Sequence, residues 1–326
     1  MQTEVVTAPD EALVARAVEL LRAGEIVALP TETVYGLAAD ALNADAVAKV
    51  FAVKHRPRID PLIVHLPARD WLERTTRIRE EDQELVQQLI GRFWPGPFTL
   101  VLPRRSIVPD IVTAGLETVA VRMSSHPVFS AVLAAFGRPL AAPSANRFGR
   151  ISPTRAQHVL DELGSHIPLV IDAGSTLLGL ESTIVCVAKG KISILRSGPV
   201  TAEQLSQYAE VEVITKADQI LAPGQMATHY APQTPLRLIE NAKLFSPPEG
   251  QRVGLLAWRS AQTEGHYTAV RRLSDRQHLG EAATNLFRYL RELDALELDL
   301  IVAEHVPEQG LGAAIMDRLR RASGGR

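Results

Sequence analysis

Hydroxyl and basic side chains recur at the ends of predicted strands between residues 30 and 199. The segments that carry them are PTETVYGLAAD (30–40), KHRPRIDPLIVH (54–65), TVAVRM (118–123), APSANRFGRISPT (142–154), GLESTIV (179–185) and ILRSGP (194–199). Thr118 and Arg122 occupy alternate positions of one strand and so share a face of its sheet. Cationic side chains bind phosphate or carboxylate, and hydroxyl and amide groups add neutral donors. The sequence therefore predicts a concave anion-binding site built from several strand ends.

The common signatures of other active sites are absent from the sequence. No GxxxxGK[ST] phosphate loop occurs, since Gly190 and Lys191 are followed by Ile192. No GxGxxG follows a strand, and no GxSxG elbow occurs. One cysteine and scattered histidines give no zinc-ligand spacing. These absences argue against a P-loop enzyme, a dinucleotide-binding enzyme, a serine hydrolase and a zinc protein.

The composition is typical of a globular chain. The 326 residues carry a formal net charge of −2, and 46% are hydrophobic, which is too apolar for a disordered protein. At about 100–200 residues per domain, two domains are expected. The single cysteine, Cys186, cannot form an internal disulfide. No apolar run reaches the roughly 18 residues of a membrane span, and the first residues do not resemble a signal peptide. We expect a cytoplasmic protein with no membrane partner.

The charge distribution favours a local anion site over a nucleic-acid surface. Residues 1–210 hold 21 basic against 23 acidic residues, and residues 211–326 hold 14 of each. Neither part is basic enough to grip a phosphate backbone in general. Within residues 1–210, however, arginine outnumbers lysine 17 to 4, a bias expected where bidentate anion contacts are needed.

The apolar spacing predicts strands and helices in mixed order. Strands are predicted at 25–30, 61–66, 98–103, 118–123, 139–145, 168–174, 181–188 and 191–198. Helices are predicted at 11–24, with Asp10 as its cap, and at 44–54, 80–93, 126–137, 154–164 and 201–208. Because the two types do not alternate strictly, the pattern indicates an α/β or α+β domain with a mixed sheet.

A second, smaller unit follows a proline-rich segment. Residues 211–235 show little regular pattern and hold three prolines between 223 and 235, which is typical of a linker or a functional loop. Strands at 252–258 and 298–306 and helices at 281–296 and 313–322 come next. The predicted organisation is a domain at 1–210, a linker or active-site lid at 211–235 and a small α/β domain at 236–326.

Eight segments together resemble the threonylcarbamoyl-AMP synthase family. They are PTETVYGLAADA, KHRPRIDPLIVH, FWPGPFTLVL, VAVRMSSHP, APSANRFGRISPT, GLESTIV, ILRSGPVT and PGQMATHYAP, in the family's order over most of residues 25–232. The C-terminal unit, ending GLGAAIMDRLRRAS, is similar to the extra domain of the longer members. The resemblance implies a YrdC-like catalytic domain with a twisted mixed sheet, followed by a small Rossmann-like α/β domain.

The resemblance also implies the reaction. L-Threonine, bicarbonate and ATP give threonylcarbamoyl-AMP and pyrophosphate, a nucleotidyl transfer. A separate transferase then passes the threonylcarbamoyl group to an adenosine next to the anticodon of tRNA, so transferase and tRNA are at most transient partners. Mg²⁺ is expected on the ATP phosphates rather than in a protein cage, and no residue is predicted as a metal ligand. Such a reaction needs positioning and charge neutralisation more than a covalent nucleophile.

Site residues follow from the same resemblance. The threonine-binding set is Thr33, His65, Arg122, Ala142 and Ser182. The ATP-binding set is Arg56, Asp60, Thr118, Ser144, Ser152, Arg196 and Tyr230. Lys54 and Arg56 are the predicted catalytic cations on the triphosphate. Arg122 suits the threonine carboxylate because a guanidinium fork matches two oxygens. Tyr230, on the linker, is expected to fold over the nucleotide and close the site.

The chain departs from the family pattern at two positions. Asp60 stands where asparagine is common, and an anion there should repel a triphosphate unless it meets Mg²⁺ or points away. His55 stands where glycine is common, and we expect it to be exposed and tolerated.

Other interpretations of the same residues stay open. Lys54 and Arg56 could balance a helix dipole, and His65 could be a hydrogen-bonded core histidine. As a whole, the chain could instead bind double-stranded RNA, which would require a basic face and steep salt dependence. A different carbamoyl transfer, as in hydrogenase-maturation proteins, is disfavoured because their acylphosphatase and zinc-finger segments are missing here. The C-terminal unit shows no site of its own and is expected to position the linker or a partner.

Overall fold

The structure, a computed structural model, describes residues 2–7, 11–214, 222–223, 229–259 and 266–324. The strands of its first part are β1 (Glu4–Thr7), β2 (Val27–Leu29), β3 (Gly36–Asp40), β4 (Ile63–His65), β5 (Phe98–Pro103), β6 (Thr118–Arg122), β7 (Leu140–Ala141), β8 (Leu169–Asp172), β9 (Thr183–Ala188), β10 (Lys191–Arg196) and β11 (Val211–Val213). They form one sheet in the order β1-β8-β2-β3-β7-β4-β6-β5-β9-β10-β11. Parallel and antiparallel neighbours both occur, so the predicted mixed sheet is confirmed.

Helices cover both faces of this sheet. They are α1 (Glu11–Arg22), α2 (Ala44–Lys54), α3 (Asp70–Thr75), α4 (Gln83–Phe93), α5 (Asp110–Thr113), α6 (Pro127–Phe136), α7 (Ala156–Leu163) and α8 (Ala202–Leu205). On α1 the apolar residues Leu13, Ala17 and Leu21 follow the helical repeat and pack with α6 on one face. The apolar sides of α2, α4 and α7 pack on the other face. β2 is buried on both sides, which explains its uninterrupted apolar sequence.

The second sheet is fully parallel. It contains β12 (Leu236–Ile239), β13 (Val253–Ala257), β14 (Ala269–Arg272) and β15 (Leu300–Glu304), in the order β12-β15-β13-β14, with α9 (Leu279–Asp294) and α10 (Leu311–Ser323). The buried apolar side chains of α9 and α10 belong to one cluster with this sheet. The predicted small C-terminal α/β unit is thus confirmed. None of the helices in the described part of the chain has the length and apolar character of a membrane span.

Strand register places the predicted site residues side by side. His65 on β4 pairs with Arg122 on β6, and Arg122 in turn pairs with Thr99 on β5. Phe98 pairs with Thr183 at the start of β9, which brings Ser182 next to Thr99. Residues from three distant parts of the sequence therefore meet at one end of the central strands.

The prediction of elements was right for long segments and wrong for several short ones. The helix predicted at 44–54 has those bounds, capped by Asn43, whose side chain accepts from the N–H groups of Asp45 and Ala46. The strands β1, β3, β12 and β14 were not predicted. Residues 211–213, assigned to the irregular linker, form β11 beside β10. These strands have three to five residues, too few for a clear apolar repeat. The predicted cap Asp10 lies outside the described residues.

An ion pair joins the two parts of the chain. Arg318 on α10 is completely buried, and its Nε donates to Glu181, at 3.0 Å, in the loop before β9. At Gly179 in the same loop, a Cβ would lie 2.6 Å from the Cα of Thr284 on α9, so only glycine allows this approach. The position of α10 is therefore coupled to the loop that carries Ser182.

Loss of this ion pair should destabilise the protein. Arg318→Ala leaves the Glu181 carboxylate buried without its cation, a change that costs about 3–5 kcal/mol of unfolding free energy. Arg320→Ala on the same helix removes an exposed pair with Glu308 and should cost less than about 1 kcal/mol. Urea unfolding followed by circular dichroism measures the unfolding free energy of both variants. Equal decreases would show that the buried pair stabilises the protein no more than the exposed one.

Candidate functional site

A cavity opens at this end of the sheet. Nine predicted site residues line it: Thr33, Arg56, His65, Arg122, Ala142, Ser144, Ser182, Arg196 and Tyr230. Four others do not: Lys54, Asp60, Thr118 and Ser152. The cavity wall also includes Thr31, Glu181 and His229, which were not predicted. The structure therefore brings most of the predicted residues together around one space.

Arg122 is held by three acceptors. Its Nε donates to the carbonyl of Gly96 at 3.1 Å, Nη1 to the Thr33 hydroxyl at 3.2 Å, and Nη2 to the Glu32 carboxylate at 2.5 Å. A guanidinium has five N–H groups, so one N–H remains on each terminal nitrogen. Two N–H groups are what a bidentate carboxylate requires. The guanidinium is thus fixed in orientation while still able to bind an anion.

The remaining predicted threonine contacts surround this guanidinium. The His65 ring packs on Phe129 at 4.6 Å, and no described residue hydrogen-bonds its Nδ1. Burial, aided by the charge of Arg122, lowers the pKa of His65 to about 3, so its ring is neutral at physiological pH. The Ser182 hydroxyl lies 2.8 Å from that of Thr99. Ala142 contributes a small apolar wall.

Arg56 reaches the cavity with a carboxylate already beside it. Its Nη2 lies 2.8 Å from Asp60 Oδ2 and donates to the Pro61 carbonyl at 2.8 Å. Asp60 is completely buried, and it faces this guanidinium rather than the cavity. Burial raises the pKa of Asp60, opposed by the nearby cations. Asp60, which stands where the resemblance led us to expect asparagine, therefore pairs with Arg56 in this chain.

His55 ends α2 in the left-handed conformation. Its φ is 52°, and its N–H bonds the Ala52 carbonyl. This conformation favours glycine, which explains why glycine suits the position. As predicted, His55 is exposed.

Arg196 differs from the other cavity arginines. Its Nε and Nη2 donate to the Ser182 carbonyl at 3.1 and 2.9 Å, and Nη2 also reaches the Ser182 hydroxyl at 3.1 Å. Among the described residues, no carboxylate lies within ion-pair distance of it. Burial lowers the pKa of Arg196, but a guanidinium stays charged at neutral pH. Arg196 therefore has no ion-pair partner of its own among the described residues, although the Glu181 carboxylate opposes the effect of burial on its pKa.

Lys54 acts on the cavity from behind its wall. Its ammonium group is buried and donates to the carbonyl of Ser144, at 2.6 Å, and to that of Asn146. Burial, with the charge of Arg56, lowers the pKa of Lys54 to about 7. Lys54 therefore fixes the loop that carries Ser144 through hydrogen bonds and does not lie on the cavity surface.

Ser152 and Thr118 also lie off the cavity. The Ser152 hydroxyl donates to Glu181, the partner of Arg318. Thr118 is half-buried and lies on the same sheet face as Arg122, four residues earlier on β6.

Two linker residues close one side of the cavity. Tyr230 is completely buried, with φ of 65°, and its ring stacks on Phe287 of α9 at 5.6 Å. The Arg318 guanidinium lies 5.1 Å from the same ring. The rings of His229 and Tyr230 are 4.0 Å apart, and neither His229 Nδ1 nor the Tyr230 hydroxyl has a hydrogen-bond partner among the described residues. These buried polar atoms face a space that a polar ligand would fill.

Sequence reasoning missed the carboxylates that organise the site. Glu32 lies between two predicted threonines in PTET, and Glu181 precedes Ser182 in GLEST. An acidic residue inside a motif rich in hydroxyl groups was the available signal. His229 precedes the predicted Tyr230 in the same way.

Comparisons with known proteins agree along the whole chain. The family model described as "Telomere recombination" matches residues 19–198, and the one described as "Threonylcarbamoyl-AMP synthase, C-terminal domain" matches residues 200–324. The threonylcarbamoyl-AMP synthase of Bacillus subtilis is 40% identical, over 96% of this chain and 93% of the relative. That of Pyrococcus abyssi is 39% identical, over 94% and 93%.

A solved structure extends the agreement to the fold. The crystal structure of P. abyssi Sua5 complexed with L-threonine matches with a TM-score of 0.90 at 37% identity, covering 99% of this chain and 98% of that one. Since both sheets and the intervening segment fall within these matches, the chain belongs to the threonylcarbamoyl-AMP synthase family, in its longer two-domain form.

Proposed function

We propose that this chain is an L-threonylcarbamoyladenylate synthase, a nucleotidyltransferase that uses L-threonine, bicarbonate and ATP. The observation that carries the proposal is that two arginines line one cavity and differ in their hydrogen-bond and ion-pair partners. Arg122 is fixed with two N–H groups to spare, as an amino-acid carboxylate requires, and Arg196 offers an unpaired charge, as a polyphosphate requires. The names of the relatives and the L-threonine of the P. abyssi complex support the same function.

In this proposal the threonine carboxylate binds Arg122 through both terminal nitrogens. Thr33, His65 and Ser182 surround the rest of the amino acid, with Ala142 against its apolar part. Neutral His65 suits this role because its free Nδ1 can accept from, or donate to, a hydroxyl or amine without adding charge.

ATP occupies the other half of the cavity. Arg56 and Arg196 contact its phosphates, the Ser144 loop and Tyr230 contact the rest, and Ser152 and Thr118 take part once the nucleotide extends beyond the cavity. Lys54 contributes its charge and holds the Ser144 loop in place. Asp60 limits the charge of Arg56 and so keeps this half from binding polyphosphate too tightly to release it.

The chemistry then needs no covalent nucleophile. The threonine amine, after losing a proton, forms a carbamate with bicarbonate and releases water. A carbamate oxygen attacks the α-phosphorus of ATP, and the bond to the β-phosphate oxygen breaks with release of pyrophosphate. The residues position the two ligands and neutralise the charge that shifts to the leaving group. A separate transferase would carry the product's threonylcarbamoyl group to tRNA.

Mg²⁺ enters this scheme as part of the substrate MgATP. In the described parts of the chain, no three His, Cys, Asp or Glu side chains are placed to hold a metal ion. Glu32, Asp60 and Glu181 each pair with an arginine instead. The phosphates would therefore carry the ion into the site.

Pyrophosphate release tests the proposed function directly. Full-length protein with MgATP and bicarbonate should release pyrophosphate when L-threonine is added and much less with L-serine, which lacks the methyl group. Omission of bicarbonate should abolish release. Folded protein that releases none under any of these conditions would refute the proposal and make RNA titration the next experiment.

Conservative substitutions of Arg122 and Arg196 should affect the KM values for threonine and ATP differently. Arg122→Lys keeps a charge beside Glu32 but loses the two-point contact, which should raise the KM for threonine about tenfold or more, given the roughly 1.5–3 kcal/mol of a charged hydrogen bond. The KM for ATP should stay within about twofold. Arg196→Lys should raise the KM for ATP and leave the KM for threonine within about twofold. Equal effects of either variant on both constants would contradict the assignment.

Tyr230 should matter through its ring more than its hydroxyl. Tyr230→Ala opens the cavity to water and removes the stack on Phe287, so we expect kcat to fall at least tenfold, about the effect of a lost closing step. Tyr230→Phe keeps the stack and should raise only the KM for ATP, by about three- to tenfold for one lost hydrogen bond. Full activity of the alanine variant would remove the lid role.

A further inference from the structure

The charges around the cavity are distributed unevenly between its two halves. On the proposed ATP side, Arg56 pairs with Asp60 and Glu181 pairs with Arg318, which leaves Arg196 as a cation with no ion-pair partner among the described residues and a formal charge of +1 on the cavity wall. On the threonine side, Arg122 and Glu32 cancel. The two halves therefore differ by one formal charge although both contain arginine.

Glu32 is ionised and is committed to its arginine. It is buried, one oxygen lies 2.5 Å from Arg122 Nη2, and the other accepts from the Ser124 hydroxyl at 2.5 Å. Burial alone would raise the pKa of Glu32, but the charge of Arg122 and the two hydrogen bonds outweigh it and lower that pKa. Glu32 lies behind the cavity wall rather than on it, so it acts on a ligand only through Arg122.

A cavity with several arginines has to direct two anionic ligands to different places. A bare buried guanidinium binds phosphate as readily as carboxylate, so a triphosphate or the pyrophosphate product would compete for Arg122. A phosphate placed on a neutral Arg122–Glu32 pair would instead be buried with no net charge to balance it, which is costly. A zwitterionic amino acid brings no net charge and keeps the two hydrogen bonds from Arg122.

We propose that Glu32 is a specificity-determining residue that reserves the Arg122 half of the cavity for a zwitterionic amino acid and keeps phosphate groups out of it. The proposal rests on the proposed function, in which Arg122 receives the threonine carboxylate. Glu32 is a positioning residue in this role, because it touches Arg122 and not the ligand.

Competition by inorganic pyrophosphate tests the proposal in the unmodified protein. L-Threonine binding to the full-length chain is measured by calorimetry at increasing pyrophosphate concentration, and ATP binding is measured in the same way. Pyrophosphate should displace ATP and should not weaken threonine binding. Displacement of threonine from the wild-type protein would overturn the proposal without any variant.

The isosteric variant Glu32→Gln then removes the charge while preserving the shape. In this variant pyrophosphate should compete with threonine, with an inhibition constant at least tenfold lower than any that the wild type shows. Ser124→Ala is the matched control, since it removes a hydrogen bond to Glu32 but leaves its charge, and it should keep the wild-type selectivity. Asp60→Asn, which removes a negative charge from the ATP half, should make pyrophosphate a stronger competitor of ATP. It should not make pyrophosphate compete with threonine.

The outcomes separate this proposal from the proposed function. If the wild type binds threonine, and folded Glu32→Gln still shows no competition between threonine and pyrophosphate, the role of Glu32 is wrong and the function stands. If the wild type binds no threonine at all, the assignment of Arg122 fails first. A merely structural role for Glu32 would weaken threonine and ATP binding alike and create no new competition.

Discussion

Burying an arginine on an apolar strand is the constraint on which the site depends. Arg122 lies on β6 among side chains that exclude water, where an unpaired guanidinium would be prohibitively costly. The chain meets this demand with acceptors from two other segments, the Gly96 carbonyl and the Thr33–Glu32 pair. Because all three contacts hold the same planar group, satisfying the burial also fixes the direction in which its free N–H groups point. Stability and the orientation of the guanidinium thus follow from the same hydrogen bonds.

Every buried arginine near the cavity requires acceptors, and the type of acceptor determines the net charge of each part of the site. Arg56 receives Asp60, and Arg318 receives Glu181, whereas Arg196 is held by the backbone and hydroxyl of Ser182. A carbonyl orients a guanidinium without cancelling its charge, and a carboxylate does both. The choice between them at each arginine therefore sets the net charge that each side of the cavity presents.

The sequence predicted the cationic and hydroxyl residues of the site better than the contacts between them. Thr33, Arg56, Arg122 and Arg196 were recognisable because their types and motifs suit anion binding. Glu32 was not, because its partner lies 90 residues away, and only the β3–β7–β4–β6 order of the sheet brings the loop before β3 to Arg122 on β6. Asp60 was expected to repel a triphosphate unless it met Mg²⁺ or pointed away. The structure shows it buried against Arg56 and turned from the cavity, a placement that depends on the turn after α2, which no apolar repeat reveals.

The C-terminal domain gains a physical role from these contacts, although its sequence shows no site. Phe287 on α9 and Arg318 on α10 both contact the Tyr230 ring, and Arg318 also binds Glu181. Any shift of α10 would therefore disturb Tyr230 and the Ser152–Glu181 contact together. The C-terminal domain thus supplies the buried charge and the aromatic surface against which Tyr230 and Glu181 pack at the cavity wall.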